Sequence, residues 1–217
     1  MKTQRTELVF ILDRSGSMTG LEADTIGGYN AMLAKQKQEE GEAVVTTVLF
    51  DDRYELLHDR IAIQGVAPMT DGQYYVRGTT ALLDAIGRTI QKIANVQRNT
   101  APEQRADKVL FVITTDGYEN ASKEYDREQI KAMVEREQKE FGWEFLFLGA
   151  NIDAIATAGQ FGISPDRAVD YHADSEGTAV SYAAISDAAS ALRAGAPIPA
   201  SWKDGVRKDF MSRKSKR

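Results

Sequence analysis

Asp13-Arg14-Ser15-Gly16-Ser17 places one carboxylate and two hydroxyls within five residues. Gly16 lets the backbone bend so that both serines can converge. Further along, Arg77-Gly78-Thr79-Thr80-Ala81-Leu82 offers another hydroxyl, at Thr80, and Thr115-Asp116-Gly117 offers a second carboxylate. Two anionic and three neutral oxygens suit a hard cation. Mg²⁺ takes about six oxygen ligands at roughly 2.0–2.1 Å and usually keeps several waters. Each piece alone has a plainer reading. Short Asp/Ser/Gly runs cap helices, a Thr before a helix caps it, and Asp-Gly makes turns. The three pieces count together because each would fall at one rim of the sheet that the flanking sequence forms.

That sheet is legible in the spacing of apolar residues. Leu8-Val9-Phe10-Ile11-Leu12 is a continuous apolar run that predicts a strand buried on both faces, ending at Asp13. Val44–Phe50 is β-branched and apolar and predicts the second strand. Asp51-Asp52-Arg53 reads as a tight turn, and Tyr54–His58, extending towards Ile63, as an antiparallel partner. Val109–Thr114, Glu144–Leu148 and Ala168–Tyr171 predict three further strands. Between them run helical patterns: Leu21, Thr25, Tyr29, Met32 and Leu33; Leu82, Leu83, Ile86, Ile90 and Ile93; Ile130, Met133, Val134 and Phe141; and Val180, Ala184, Ala188, Ala191 and Leu192. Asp126 and Gln129 have capping-box spacing before the third of these helices. Gly27 and Gly28 inside the first helix point to close packing against the sheet. The alternation predicts an α/β, doubly wound, mostly parallel sheet with one antiparallel edge strand and helices on both faces. Such folds bind ligands beyond the carboxyl ends of their strands, where Asp13 and Asp116 lie.

The residues that carry the site also carry a likeness. Asp13, Ser15, Ser17, Thr80 and Asp116 resemble, in type and order, the metal-ion-dependent adhesion site of von Willebrand factor type A (vWA) domains. Thr80-Ala81-Leu82-Leu83-Asp84-Ala85-Ile86 and Ile113-Thr114-Thr115-Asp116-Gly117 are also similar to that family, and the choice of Thr80 over Thr79 rests on the first of these segments. The likeness runs from about Glu7 to about Leu192. It implies a Rossmann-like vWA fold. It implies direct metal binding by the Ser and Thr hydroxyls, with the Asp carboxylates often acting through water. An open coordination position would take an Asp or Glu of a partner protein. Arg14, Thr79, Gly117 and Glu119 would form the rim. Mg²⁺ is the expected ion, with Mn²⁺ or Ca²⁺ as substitutes. The chain looks most like small stand-alone bacterial members, several of which work inside cells beside ATPases. An ATPase is therefore a candidate partner and nucleic acid is not expected.

Bulk properties limit the alternatives. There is no Cys, so disulfides, thiolate zinc sites and cysteine nucleophiles are excluded. No apolar run approaches the roughly 20 residues that span a bilayer, and the apolar stretch before Asp13 is too short for a signal peptide. A cytoplasmic protein that is not an enzyme is the expectation. A haloacid-dehalogenase-type phosphohydrolase is the main alternative, but it needs a second Asp where Ser15 stands, and a Lys near the phosphate. A scaffold with a vestigial metal site is the other alternative. Neither a P-loop nor a Gly-x-Ser-x-Gly elbow is present.

The domain is expected to cover residues 1–196, with residues 197–217 a basic tail, loose or docked. From Ser201 to Arg217 there are seven Lys or Arg and two Asp, a local balance of +5 in a chain of net charge −5. Trp202 within the tail is a candidate anchor. His58, on the expected edge strand, and His172, after the last strand, read as surface residues. Trp143, Phe145 and Phe147 read as core.

Overall fold

The computed structural model describes residues 4–214. Six strands form one sheet: β1 (Arg5–Asp13), β2 (Glu42–Phe50), β3 (Tyr54–Ala62), β4 (Lys108–Thr115), β5 (Glu144–Ala150) and β6 (Ala168–Tyr171). Their order is β3-β2-β1-β4-β5-β6. Only β3 runs antiparallel, against β2. The other pairings are parallel. The helices are α1 (Glu22–Gln36), α2 (Leu82–Asn99), α3 (Arg127–Phe141), α4 (Ala154–Gln160), α5 (Ser175–Arg193) and α6 (Asp204–Lys214).

Leu8 through Leu12 have no solvent exposure. Successive side chains of a strand point to opposite faces. Leu8, Phe10 and Leu12 accordingly join Tyr29, Met32 and Leu33 of α1 and Ile185 and Ala188 of α5 in one core. Val9 and Ile11 join Ile86 and Ile90 of α2 and Ile130 and Val134 of α3 in the other. Each such fully buried side chain stabilises the fold by about 1.5–3 kcal/mol. Trp143, Phe145 and Phe147 are in the second core, as their apolar run implies. Asp126 forms the capping box, with Gln129 N–H donating to its Oδ1 at 2.8 Å and its own N–H donating to Gln129 Oε1 at 2.9 Å. Gly142 ends α3 in the left-handed conformation, at φ 65°.

Four expectations need correction. Gly28 does make a close approach, but to Tyr182 of α5 and not to the sheet: a Cβ there would sit 2.4 Å from the Tyr182 ring, while Gly27 has open space. Phe141, the last residue of α3, is 56% exposed. His58 is buried, not superficial. α1 covers this face of the edge strand, and the ring packs against Tyr29, where Nδ1 lies 3.1 Å from Thr47 Oγ1. Burial pushes its pKa down. His172 is half-buried; it stacks on Phe210, and its Nε2 lies 3.1 Å from the Phe210 carbonyl oxygen.

Part of the basic segment packs against the body. Ile198, Trp202 and Val206 are buried in the same core as α1 and α5. Trp202 Nε1 donates to the Asp166 carbonyl at 2.8 Å. Two large apolar anchors outweigh the polar composition of the segment. Residues 215–217 of the expected tail lie outside the described residues.

The two α1 glycines predict opposite outcomes. Gly27→Ala removes backbone entropy from the unfolded chain and should stabilise the protein by roughly 0.5–1 kcal/mol. Gly28→Ala drives a methyl group into Tyr182 and should destabilise it by roughly 1–3 kcal/mol. Urea unfolding of both variants measures the two signs.

Candidate metal centre

The chain reverses its direction of sheet growth between β1 and β4, so the carboxyl ends of these neighbouring strands form a crevice. Ligands bind at such a switch point in doubly wound folds. Asp13 closes β1 and Asp116 directly follows β4. Both are buried, at 0% and 2% exposure.

Asp13 is fixed on both oxygens. Its Oδ1 accepts the Ser15 backbone N–H at 2.7 Å, and its Oδ2 accepts the Thr115 hydroxyl at 2.6 Å. Its carbonyl oxygen accepts the Tyr74 hydroxyl. A chain of hydroxyls starts beside it. Thr80 Oγ1 donates to Ser15 Oγ at 2.9 Å, and Ser15 Oγ lies 3.1 Å from Ser17 Oγ. Gly117 brings the β4 loop against the same hydroxyls: a Cβ there would meet Ser17 Oγ at 3.0 Å and Thr80 Oγ1 at 3.4 Å. The five residues singled out from the sequence thus lie around one crevice.

Asp116 stands apart electrostatically. Both of its carboxylate oxygens are buried without a hydrogen-bond partner of normal geometry. Burial pushes its pKa up to about 6; the Asp13 carboxylate adds to the rise and the nearby Ser17 hydroxyl offsets part of it. Burial also raises the Asp13 pKa, against the lowering effect of hydrogen bonds from Thr115 and Ser15. Two buried like charges beside three hydroxyls form a site that a cation would stabilise. Among the described residues, no group of three or more His, Cys, Asp or Glu side chains is placed to hold a metal ion. The donor set is therefore carboxylate and hydroxyl oxygen, the chemistry of a hard ion.

The four residues expected at the rim do different things. Thr79 is exposed at the crevice edge, and Gly117 is the contact described above. Arg14 is not at the rim: it has no exposure, and its Nε donates to Asp51 Oδ2 at 3.0 Å beneath the loop. Glu119 turns inward and accepts from Leu83 N at 2.9 Å and Ser122 N at 2.7 Å. Residues beyond the five expected ligands do the positioning. Asn120 Oδ1 accepts the Thr80 N–H at 2.9 Å, and the Thr80 carbonyl accepts the Asn120 N–H at 3.0 Å. Asp84 accepts three backbone N–H groups from Lys123, Glu124 and Tyr125. Thr115 carried a signal, a hydroxyl beside the strand-end Asp. Asn120 carried one too, its place beside Glu119 in the loop after Asp116; Asp84 carried none at this range.

No family model matches the sequence, and no curated protein matches it. Solved structures do. Proximal thread matrix protein 1 from the mussel byssus, with a zinc-occupied MIDAS motif, superposes with a TM-score of 0.58 at 15% identity, over 87% of this chain and 46% of that one. The fold is that of von Willebrand factor type A domains. A von Willebrand factor type A protein from Catenulispora acidiphila gives 0.58 at 13% identity, over 87% of this chain and 43% of its own. The ArnB paralog VWA2 from Sulfolobus acidocaldarius gives 0.53 at 17% identity, over 86% and 45%. The chain spans less than half the length of each of these vWA-fold structures.

The raised Asp116 pKa sets a stability sign for the metal-free protein. The unfolded carboxyl releases its proton near pH 4 and the folded one near pH 6. Folding takes up a proton between those values, so stability falls as pH rises from about 4 to 6 and stays lowered above. In EDTA, Asp116→Asn should raise stability at pH 7 by roughly 1–3 kcal/mol and flatten this pH dependence. Urea unfolding at pH 4.5 and pH 7 measures both effects.

Proposed function

We propose that this protein is a divalent-metal-dependent binding module that grips an acidic side chain of a partner protein, without chemistry of its own. The observation that carries the reading is the Asp116 carboxylate, buried with both oxygens unpartnered next to the hydroxyls of Ser15, Ser17 and Thr80. A buried carboxylate without a partner is costly unless something compensates it. An Mg²⁺ ion, or Mn²⁺ in its place, would supply that compensation.

In this reading Ser15, Ser17 and Thr80 offer the neutral oxygens that hold the ion. Asp13 and Asp116 carry the balancing charge. Asp13 already spends both oxygens on Ser15 and Thr115, which supports a role for it behind the hydroxyls. With the negative charge set back in this way, the bound ion keeps enough positive character to attract an incoming Asp or Glu. Exposed Thr79, Gly16 and Ser17 border the crevice from which such a side chain would enter. The mussel protein's zinc-occupied MIDAS motif, on the same fold, favours the reading. An ATPase partner and a cytoplasmic setting belong to the same proposal. Among the described residues, no helix is long and apolar enough to cross a membrane.

Mg²⁺ at a hundredfold excess over its dissociation constant should stabilise the protein by about 2.7 kcal/mol, raising the melting temperature by roughly 5–10 °C. Asp13→Ala should abolish the rise. An unchanged melting curve in wild-type protein would reject the metal site. Mg²⁺-dependent turnover of phosphorylated small molecules, lost in Asp13→Ala, would reject the binding module in favour of a phosphohydrolase.

A further inference from the structure

The hydroxyl of Thr80 sits at the end of the long connection between β3 and α2, and that connection has little regular structure of its own. Residues 66–81 contain no helix or strand. Nevertheless Thr80 is held to hydrogen-bonding distance of Ser15. Besides Asn120 at Thr80 and Tyr74 at Asp13, the carboxylate of Asp51 ties the connection down. Asp51 has no exposure and stands just past the end of β2. Its Oδ2 accepts both Arg14 Nε, at 3.0 Å, and Arg77 Nε, at 2.6 Å. Its Oδ1 accepts Arg53 N–H at 2.7 Å. Its carbonyl oxygen accepts the N–H of Ala81, the residue after Thr80, at 2.9 Å.

The backbone repeats the connection. Arg77 N–H donates to the Arg14 carbonyl at 2.9 Å, and Gly16 N–H donates to the Gly78 carbonyl at 3.1 Å. The Tyr75 ring lies 5.4 Å from the Arg14 guanidinium and 5.3 Å from that of Arg77. Arg14 Nη2 continues to Glu55 of β3 at 2.6 Å. Between Arg77 and Thr80, Gly78 turns the chain at φ 68°, a conformation that side chains rarely adopt; a Cβ there would also meet Asp52 Oδ1 at 2.1 Å. The Asp13–Ser17 loop and the Arg77–Thr80 loop are therefore two parts of one unit pinned on Asp51.

We infer that Asp51 and Arg77 are positioning residues for the metal centre: their ion pair holds the otherwise irregular Arg77–Thr80 segment so that Thr80 Oγ1 meets Ser15 and Ser17 in the arrangement that the ion requires. This rests on the reading of the site as a metal centre. Arg77 is the handle for a test, because it is 30% exposed on its side chain while Asp51 and Arg14 are fully buried. Removing Asp51 would leave Arg14 buried without its main partner and threaten the fold.

The control is Arg60, which makes a comparable bond at 2.9 Å to a buried carboxylate, Glu7, far from the crevice near the other end of β1. Two readouts are compared in Arg77→Met, Arg77→Lys and Arg60→Met. One is the Mg²⁺ dissociation constant from calorimetry. The other is amide hydrogen exchange of residues 78–82 in EDTA, which does not depend on metal. Arg77→Met should weaken Mg²⁺ binding at least tenfold and speed exchange of that segment at least tenfold. Arg77→Lys, which keeps a charge on Asp51, should recover part of both. Arg60→Met should lower the melting temperature and leave both unchanged. Wild-type Mg²⁺ affinity in Arg77→Met, or equal weakening in Arg60→Met, overturns the inference. If wild-type protein binds no Mg²⁺, the metal reading fails on its own evidence. Unchanged exchange in Arg77→Met sinks the positioning role whatever the metal result.

Discussion

Two carboxylates buried at the same rim of the sheet are the constraint around which this molecule is arranged. Ionised carboxylates in a low-dielectric setting repel each other and lack the water that would solvate them. Asp13 is stabilised by the protein itself, through Ser15 N–H and the Thr115 hydroxyl. Asp116 has only partial help from the nearby Ser17 hydroxyl, and neither of its oxygens has a hydrogen-bond partner of normal geometry. The asymmetry separates a carboxylate that organises the crevice from one that leaves the crevice electrostatically incomplete. A fold selected for stability alone would place an amide or an apolar residue at Asp116.

The loops around these carboxylates are held by bonds that leave the hydroxyls facing one another. Asn120 and Glu119 tie the β4 loop to the start of α2. Asp84 caps the Lys123–Tyr125 turn from within α2. Asp51 ties the β1 loop to the β3–α2 connection. Glu119, Asp84 and Asp51 are carboxylates that each accept several N–H groups at once, and such charge-assisted bonds are stronger than neutral ones. Three loops distant in sequence thereby behave as one preorganised surface. That lowers the ordering cost of anything that binds there.

How much of this the sequence revealed depends on the range of each interaction. The β1 run and the capping box at Asp126 are local patterns, and both form where their spacing implies. The five site residues were legible because each lies at a strand end or a helix start. Asp51 and Tyr74 were not, since their roles come from loop packing across dozens of residues and no periodicity marks them. His58 was misplaced because it lies on an edge strand, one face of which α1 covers, so that its ring packs against Tyr29. The seven residues of α4, Ala- and Gly-rich, were too few to show a helical stripe. α6 escaped because its own buried apolar anchor is the single Val206, beside Trp202 just before it, within an otherwise polar stretch.

The docking of α6 has a consequence for the far side of the molecule. β6 is only four residues long and is the last strand of the sheet. Lys203 Nζ donates to the Ala168 carbonyl at its start, and Val206, from the first turn of α6, joins Val169 and Tyr171 in one core. Arg213 also reaches Asp174, the N-cap of α5. Shielding an outermost strand is a common defence against strand-to-strand self-association. The C-terminal segment therefore covers part of this outermost strand. Proteolytic clipping near Pro197 would uncover a greasy, hydrogen-bond-hungry border, and the fragment left behind would tend to clump even with its crevice intact.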